Sequence, residues 1–319
     1  MRSSRALDTI TLTDIMQDLE AGRSLPLRTA HRPPNLQSLR RSTLGGPVFL
    51  TTYLTARALG RIHPRLARRS LLRLWLTPWV HSSTRRPVTD VTADLVGWSL
   101  PAAGRTMHGF AGGTGPTVVL VHGWAGRAAD WRHLAHDLIA AGWRVVAPDL
   151  PAHGTTTGRT TDGLELSRAL VAVLRHEHPA AIIAHSLGFP ITMLALEEPV
   201  PQPTTVVALA PGRSLARAMQ RFGAKAKLRP ALITELGHAI AARYGDAVWE
   251  LFDVDRTVAH ITARGLVLHD AGDDEVPIAD GWHIADQWPD AHLAVTEGLG
   301  HRRILHDERV RMQVVDALQ

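Results

Sequence analysis

The stretch AIIAHSLGFP, residues 181 to 190, constrains this chain more than any other. Ile182 and Ile183 belong to a β-branched apolar run that reads as a strand, and FPITMLALEE, which follows Gly188, has the composition of a helix. So little separates the two that strand must pass into helix through a very tight turn, with Ser186 at its apex. A backbone that crosses itself so closely needs small residues two before and two after the apex, and it holds the apex residue in a strained conformation. Ala184 and Gly188 occupy those places. Glycine commonly fills both, so Ala184 departs from the pattern by one methyl group. A purely structural turn fits the same residues. What separates the two readings is whether the rest of the chain supplies partners for a reactive hydroxyl.

A chain of 319 residues, 45% hydrophobic and 20% charged, is a soluble globular protein with one large domain and insertions, or two small domains. It has no cysteine, which excludes disulfides and thiolate metal sites. Charge is uneven. Residues 1 to 90 hold 15 arginines against 5 acidic residues, whereas residues 91 to 319 hold 20 basic against 25 acidic. The body is acidic, so no nucleic-acid partner is expected of it. No run of about 18 apolar residues is present to span a bilayer. Asp8, Asp14, Asp18 and Glu20 interrupt the first twenty residues, which argues against a secretory signal and makes the cytoplasm the expected compartment.

Residues 1 to 47 are polar and broken by prolines, with a short helix expected over 12–21. Between residues 48 and 80, Leu50, Tyr53, Leu54, Ala58, Ile62 and then Leu66, Leu71, Leu74 and Trp75 recur at helical spacing with arginines between them. Two basic amphipathic helices separated at Pro64 are predicted. Such helices either lie on an anionic membrane, a peripheral contact, or pack their apolar face on a neighbouring domain and leave arginine in water. Residues 1–87 thus read as a basic, partly helical extension.

From residue 88 the pattern turns to strands. VTADLVGWSL and the glycine-rich connector GFAGGTGP predict one or two early strands and a turn. Buried strands TVVLVHG, WRVVAPDL, AIIAH and TTVVALAP then alternate with helices over 128–141, 162–176 and 189–198. This spacing predicts a mostly parallel sheet with helices on both faces, and in such sheets ligand sites form at the carboxyl ends of the strands. Over 212–264 the alternation lapses into two or three helices, which read as a small helical cap inserted into a domain spanning 88–319. The strand pattern resumes with GLVLHDAGDDEVPI and HLAVTEGLGH, before a terminal helix.

Five separated motifs occur in order: HGW at 122 to 124, DLPAHG at 149 to 154, AHSLG at 184 to 188, DAGDDEVP at 270 to 277 and GLGH at 298 to 301. Together they resemble the serine-nucleophile, esterase- and lipase-like bacterial members of the α/β-hydrolase fold, over about residues 90 to 319. Haloalkane dehalogenases and epoxide hydrolases of that fold carry a carboxylate at the elbow, which Ser186 does not match.

A serine hydroxyl is a weak nucleophile until a base takes its proton; imidazole suits that task, and a carboxylate fixes its tautomer. The fold's chain order is serine, acid, histidine, and Ser186, Asp273 and His301 satisfy it. Among 18 histidines, His301 follows a buried strand and a flexible GLG, whereas the resemblance puts His122 in the oxyanion loop and His185 in the elbow. The family leaves two residues between its acid and a Val-Pro pair; Val276 and Pro277 then select Asp273, with Asp274 as the alternative. Asp149 and His153 are implied to hold backbone geometry. One oxyanion donor is expected from the amide of Leu187, at the start of the helix after the serine. The resemblance implies the other at Trp124, whose indole is placed to wall an acyl pocket. Met219, Phe222, Trp249 and Phe252 of the cap are candidates to line that pocket, or alternatively form the core of the cap. The acids Asp273, Asp274 and Glu275 have no second acidic cluster, so no metal and no cofactor is expected.

These residues predict a serine hydrolase that cleaves a small-molecule carboxylic ester, or a thioester, through an acyl-serine intermediate. Two other classes fit as well: a membrane-surface lipid esterase docked by its basic helices, and a binding protein that keeps the fold without the chemistry.

Overall fold

The computed structural model of the protein describes residues 47–78 and 94–319. The helix expected over 12–21 lies outside them. Eight strands form one sheet: β1 (Leu95–Ala102), β2 (Arg105–Gly112), β3 (Thr117–Val121), β4 (Arg144–Asp149), β5 (Ala181–His185), β6 (Thr205–Leu209), β7 (Arg264–Asp270) and β8 (Ala291–Thr296). Their order is β1-β2-β4-β3-β5-β6-β7-β8. Strands β3 to β8 are parallel, while β1 and β2 pair as an antiparallel hairpin and β2 runs antiparallel to β4.

Strands β5 and β6 are buried at every position. Their unbroken apolar runs follow from having helices on both faces, which leaves no side for water. Alternate residues still part company: Val119 and Val121 join one apolar cluster, Val118 and Leu120 the other. The helices of the described residues, numbered in order, are α1 (Pro47–Ile62) and α2 (Arg68–Trp75), followed by α3 (Arg132–Ala140), α4 (Gly163–Glu177) and α5 (Gly188–Leu196). The insert supplies α6 (Leu215–Lys225), α7 (Pro230–Tyr244), α8 (Val248–Leu251) and α9 (Asp255–Val258), and the chain ends with α10 (Ile278–Gln287), α11 (Gly300–Arg303) and α12 (Glu308–Asp316). One sheet face is covered by α4, α5 and α10 through Leu170, Phe189 and Ile284, and the other by α3 and α12 through Leu134, Leu138 and Val314.

The glycine-rich GFAGGTGP differs from its expected role as a connector, because Gly109 to Gly112 lie inside β2. The hairpin turn is made by Ala103 and Gly104, at φ 50° and 74°. Gly109 belongs in the strand because a Cβ there would stand 2.2 Å from the Ala147 carbonyl oxygen, so only glycine lets β2 approach β4. In the insert, four helices replace the two or three expected. Helices α8 and α9 are single turns, too short to leave a periodic signal.

Helices α1 and α2 pack on the insert. Leu71 and Leu74 share an apolar cluster with Leu232, Leu236 and Met219. Arg229 donates to the Gly60 carbonyl at 2.6 Å, and Arg68 pairs with Glu235. Among the described residues no helix is long and apolar enough to cross a membrane.

Candidate active site

Ser186 sits where β5 ends and α5 begins, at φ 54°. That left-handed conformation is disfavoured for serine, and its neighbours impose it: the Ser186 N–H donates to Leu209 O at 3.0 Å, while Phe189 N–H donates to Ser186 O at 3.1 Å. Ala184 is fully buried in register with Val121 and Ala208, so the extra methyl group lies in the core without preventing the turn. Gly188 has no such latitude. A Cβ there would meet the Val121 carbonyl oxygen at 2.5 Å, because α5 starts directly against β3.

Three side chains from three strand ends meet at this point. The Ser186 hydroxyl donates to His301 Nε2 across 2.9 Å, and His301 Nδ1–H donates to Asp273 Oδ2 across 2.7 Å. The other oxygen of Asp273 accepts the N–H groups of Glu275 and Val276, each at 2.8 Å. Burial alone would push the Asp273 carboxyl up. Hydrogen bonds from His269 and His301, the His301 charge and the Val276 N–H outweigh it and hold the group well below the usual carboxylate range. Asp273 is therefore an anion aimed at the ring nitrogen remote from the serine. Such a line of groups can take the hydroxyl proton and stabilise the imidazolium that results. Among the described residues Asp274 makes no hydrogen bond or ion pair with His301; it lines the cavity.

The remaining polar residues hold this line in place. His185 Nε2–H donates to the His301 carbonyl at 2.9 Å, and burial pushes its ring down to about 3, so it stays neutral. His122 accepts the Leu150 N–H at Nε2 and donates from Nδ1 to Gly123 O at 2.8 Å; with both nitrogens committed, it shapes the loop after β3. Asp149 receives the N–H groups of Ala128 and Thr155, each at 2.7 Å. His153 is buried against Trp124, with its ring edge-on at 5.4 Å.

Two cavities meet at Ser186 and His301. The larger, about 520 Å³, is lined by Trp124, Leu187, Phe222 and Phe252, together with Trp75 and Leu76 from the end of α2. The smaller, about 380 Å³, has a more polar wall that includes Asp130, Lys225 and His306. Among the described residues neither the Trp124 nor the Leu187 backbone N–H donates to a protein acceptor. Both residues border the larger cavity beside the serine, where an oxyanion would need donors. Met219 and Trp249 do not line either cavity. Along α6, Leu215, Ala218, Phe222 and Lys225 follow the cavity face at helical spacing, and Met219, one residue round, packs near Gly237 of α7 instead. Trp249, on the single turn α8, packs against the same helical cluster, and Phe252 reaches the cavity from its end.

The family model described as "Alpha/beta hydrolase family" matches residues 118–317, more than half of the chain. The chain belongs to the alpha/beta hydrolase family. This α/β-hydrolase is 26% identical to the monoacylglycerol lipase of Mycolicibacterium smegmatis over 227 residues, covering 58% of this chain and 80% of that one. It is 38% identical to the magnesium-chelatase 30 kDa subunit of Rhodobacter capsulatus over 94 residues, 28% of this chain; there the chain spans only about a third, 33%, of the relative's length. An esterase of Pyrococcus furiosus superposes with a TM-score of 0.57 at 19% identity, covering 73% of this chain and 93% of that one. A meta-cleavage product hydrolase of Pseudomonas fluorescens superposes at 0.51 with 17% identity, covering 69% and 96%. Both likenesses concern the fold.

Two polar residues of this hydrolase have bonding roles that the sequence did not reveal. His269 donates from Nε2 to Val276 O at 3.0 Å and lies 3.4 Å from Asp273 Oδ2, bracing the acid's loop. Asp270 accepts from the Gly272 and Leu299 N–H groups and the Thr296 hydroxyl, which ties the acid loop to the loop carrying His301. The available signal was two adjacent ionisable residues closing an otherwise apolar strand, GLVLHD.

Proposed function

We propose that this α/β-hydrolase cleaves a carboxylic ester or thioester through an acyl-serine intermediate, with Ser186 as nucleophile, His301 as general base and Asp273 as its orienting anion. The observation that carries this is the continuous pair of hydrogen bonds, 2.9 Å from Ser186 to His301 and 2.7 Å from His301 to Asp273, opening on an apolar cavity. The monoacylglycerol lipase and esterase among the similar proteins agree with ester chemistry.

The steps follow from the geometry. Ser186 Oγ attacks the substrate carbonyl carbon as its proton passes to His301 Nε2. The negative oxygen that forms takes the Leu187 and Trp124 N–H groups, which have no backbone acceptor among the described residues and border the cavity beside the serine. The imidazolium then gives its proton to the departing alcohol or thiol, and the bond from the carbonyl carbon to the leaving group breaks. Water enters, loses a proton to His301 and attacks the acyl carbon; the bond to Oγ breaks, and Ser186 recovers its proton. The acyl group occupies the larger cavity, whose walls Trp75, Leu215, Phe222 and Phe252 are apolar, and the leaving group faces the polar one.

The test is labelling with a fluorophosphonate probe beside hydrolysis of esters and thioesters of graded acyl length. Labelling and turnover are expected in the native chain and absent in Ser186→Ala. Turnover that survives Ser186→Ala, or a native chain inert to both, refutes the assignment.

A further inference from the structure

Helix α1 has two apolar faces, and the cap insert covers one of them. On that side Ala56 is fully buried, Tyr53 Oη donates to Ala226 O at 2.9 Å, and Gly60 lies so close to α7 that a Cβ would meet Leu232 at 2.6 Å. The other side carries Leu50, Leu54, Ala58 and Ile62 at intervals of four, a single stripe along the helix. Leu50 is 55% exposed, Leu54 54% and Ile62 77%, and Leu66 beyond Pro64 adds a fourth at 52%. Among the described residues the only other large hydrophobics this exposed are Val96 and Met312, so the exposed apolar surface is concentrated here. Single exposed leucines are ordinary; an aligned set is a contact surface.

The segment that carries the stripe has charge of one sign. No Asp or Glu occurs between Glu20 and Asp90. Arg57, Arg61, Arg65, Arg69 and Arg73 are all exposed, and among the described residues none of them forms an ion pair, whereas Arg68, turned inward, has Glu235. We propose that this outer face of α1, with the turn that follows it, docks on the surface of an anionic lipid bilayer. Leucine and isoleucine enter the boundary of the acyl chains, and the guanidinium groups bind headgroup phosphates. Nucleic acid would use the arginines and leave the apolar stripe in water. A second copy of this chain meeting it through the same helix would set arginines against arginines. Helix α2 runs on from this face to Trp75 and Leu76, which wall the cavity beside Ser186. The docking is independent of the reaction assigned to that site.

Flotation of the full chain with phosphatidylcholine vesicles, with and without phosphatidylglycerol, tests this. Binding is expected only with phosphatidylglycerol and weakens as salt rises. Arg57→Gln/Arg61→Gln/Arg65→Gln is expected to weaken it about fivefold per arginine, on the order of a hundredfold together. Leu54→Glu/Ile62→Glu is expected to abolish it while the melting temperature stays that of the native chain. The proposal is overturned by failure to float with either vesicle, by equal flotation with both, or by binding that both variants retain. A dimer split by Leu54→Glu/Ile62→Glu, or duplex DNA bound at a salt concentration where vesicles are not, gives the face to another partner and also overturns it.

Discussion

His185 donates its Nε2 proton to the backbone carbonyl of His301 across 2.9 Å, so the strand end that leads to Ser186 also grips the short helix that carries His301. The two rings lie 4.7 Å apart, centroid to centroid. Because a displacement of about 1 Å at a reacting group costs on the order of a hundredfold in rate, His185→Leu is expected to lower kcat by that order with little change in KM. His185→Gln keeps a donor and should recover much of the loss. Steady-state kinetics on a soluble ester, with circular dichroism to verify folding, separates this from a general loss of structure.

Asp273 and Asp274 are adjacent in the chain, but only Asp273 reaches His301. On the proposed mechanism Asp273→Asn removes the anion that orients and stabilises the imidazolium, and kcat is expected to fall by roughly 10³- to 10⁴-fold. Asp274→Asn should leave kcat near that of the native chain. Equal losses in the two variants would mean that the acid is misassigned.

His153 and His185 are buried, and desolvation pushes both down to about 3. In the unfolded chain such rings take up protons near pH ~6.5. The unfolded state therefore binds protons that the folded state refuses, and stability falls as pH drops from about 6.5 towards 4, by on the order of 1 to 3 kcal/mol per ring. Above pH ~7 these rings contribute no slope. Carboxylates held low, such as Asp273, act in the same direction but only as pH falls below their unfolded value near ~4. Melting temperatures between about pH 4.5 and 6.5 thus isolate the histidines, and His153→Leu is expected to flatten the slope.

Two glycines near the serine should fail in different ways. A Cβ at Gly188 meets backbone, Val121 O at 2.5 Å and His122 O at 2.8 Å, so Gly188→Ala must shift β3 or α5 and is expected to cost about 1–3 kcal/mol. A Cβ at Gly123 meets the Ser186 Cβ at 2.8 Å. Gly123→Ala should therefore melt closer to the native chain while losing most of its turnover. Melting curves alongside kinetics distinguish the two.

Trp75 stands edge-on to Phe222 with ring centroids 5.4 Å apart, and both wall the larger cavity. Trp75→Ala enlarges that space without touching the Ser186–His301 pair. The preferred acyl length is expected to shift upwards in a graded ester series, with the rate of fluorophosphonate labelling unchanged.

Local chemistry made much of this hydrolase legible in its sequence. The strands between 117 and 209 announce themselves because a parallel strand covered on both faces must be apolar throughout, and the elbow because only small residues fit beside a left-handed serine. The order of Ser186, Asp273 and His301 could be read because each follows the end of a recognisable strand and because the motifs resemble a fold whose chain order is serine, acid, histidine. What the sequence did not reveal depends on which side chains meet across long separations. That α2 lends Trp75 to the cavity, that Met219 turns away while Phe222 turns in, and that His269 braces the acid's loop are consequences of helix rotation and packing. A period of 3.6 residues marks a helix as amphipathic, but it does not say which neighbour each face will meet. Helix α1 is the clearest case: its spacing holds two apolar stripes, and only the position of the cap, packed on Ala56 and Gly60, decided that Leu50, Leu54 and Ile62 would be the ones left in water.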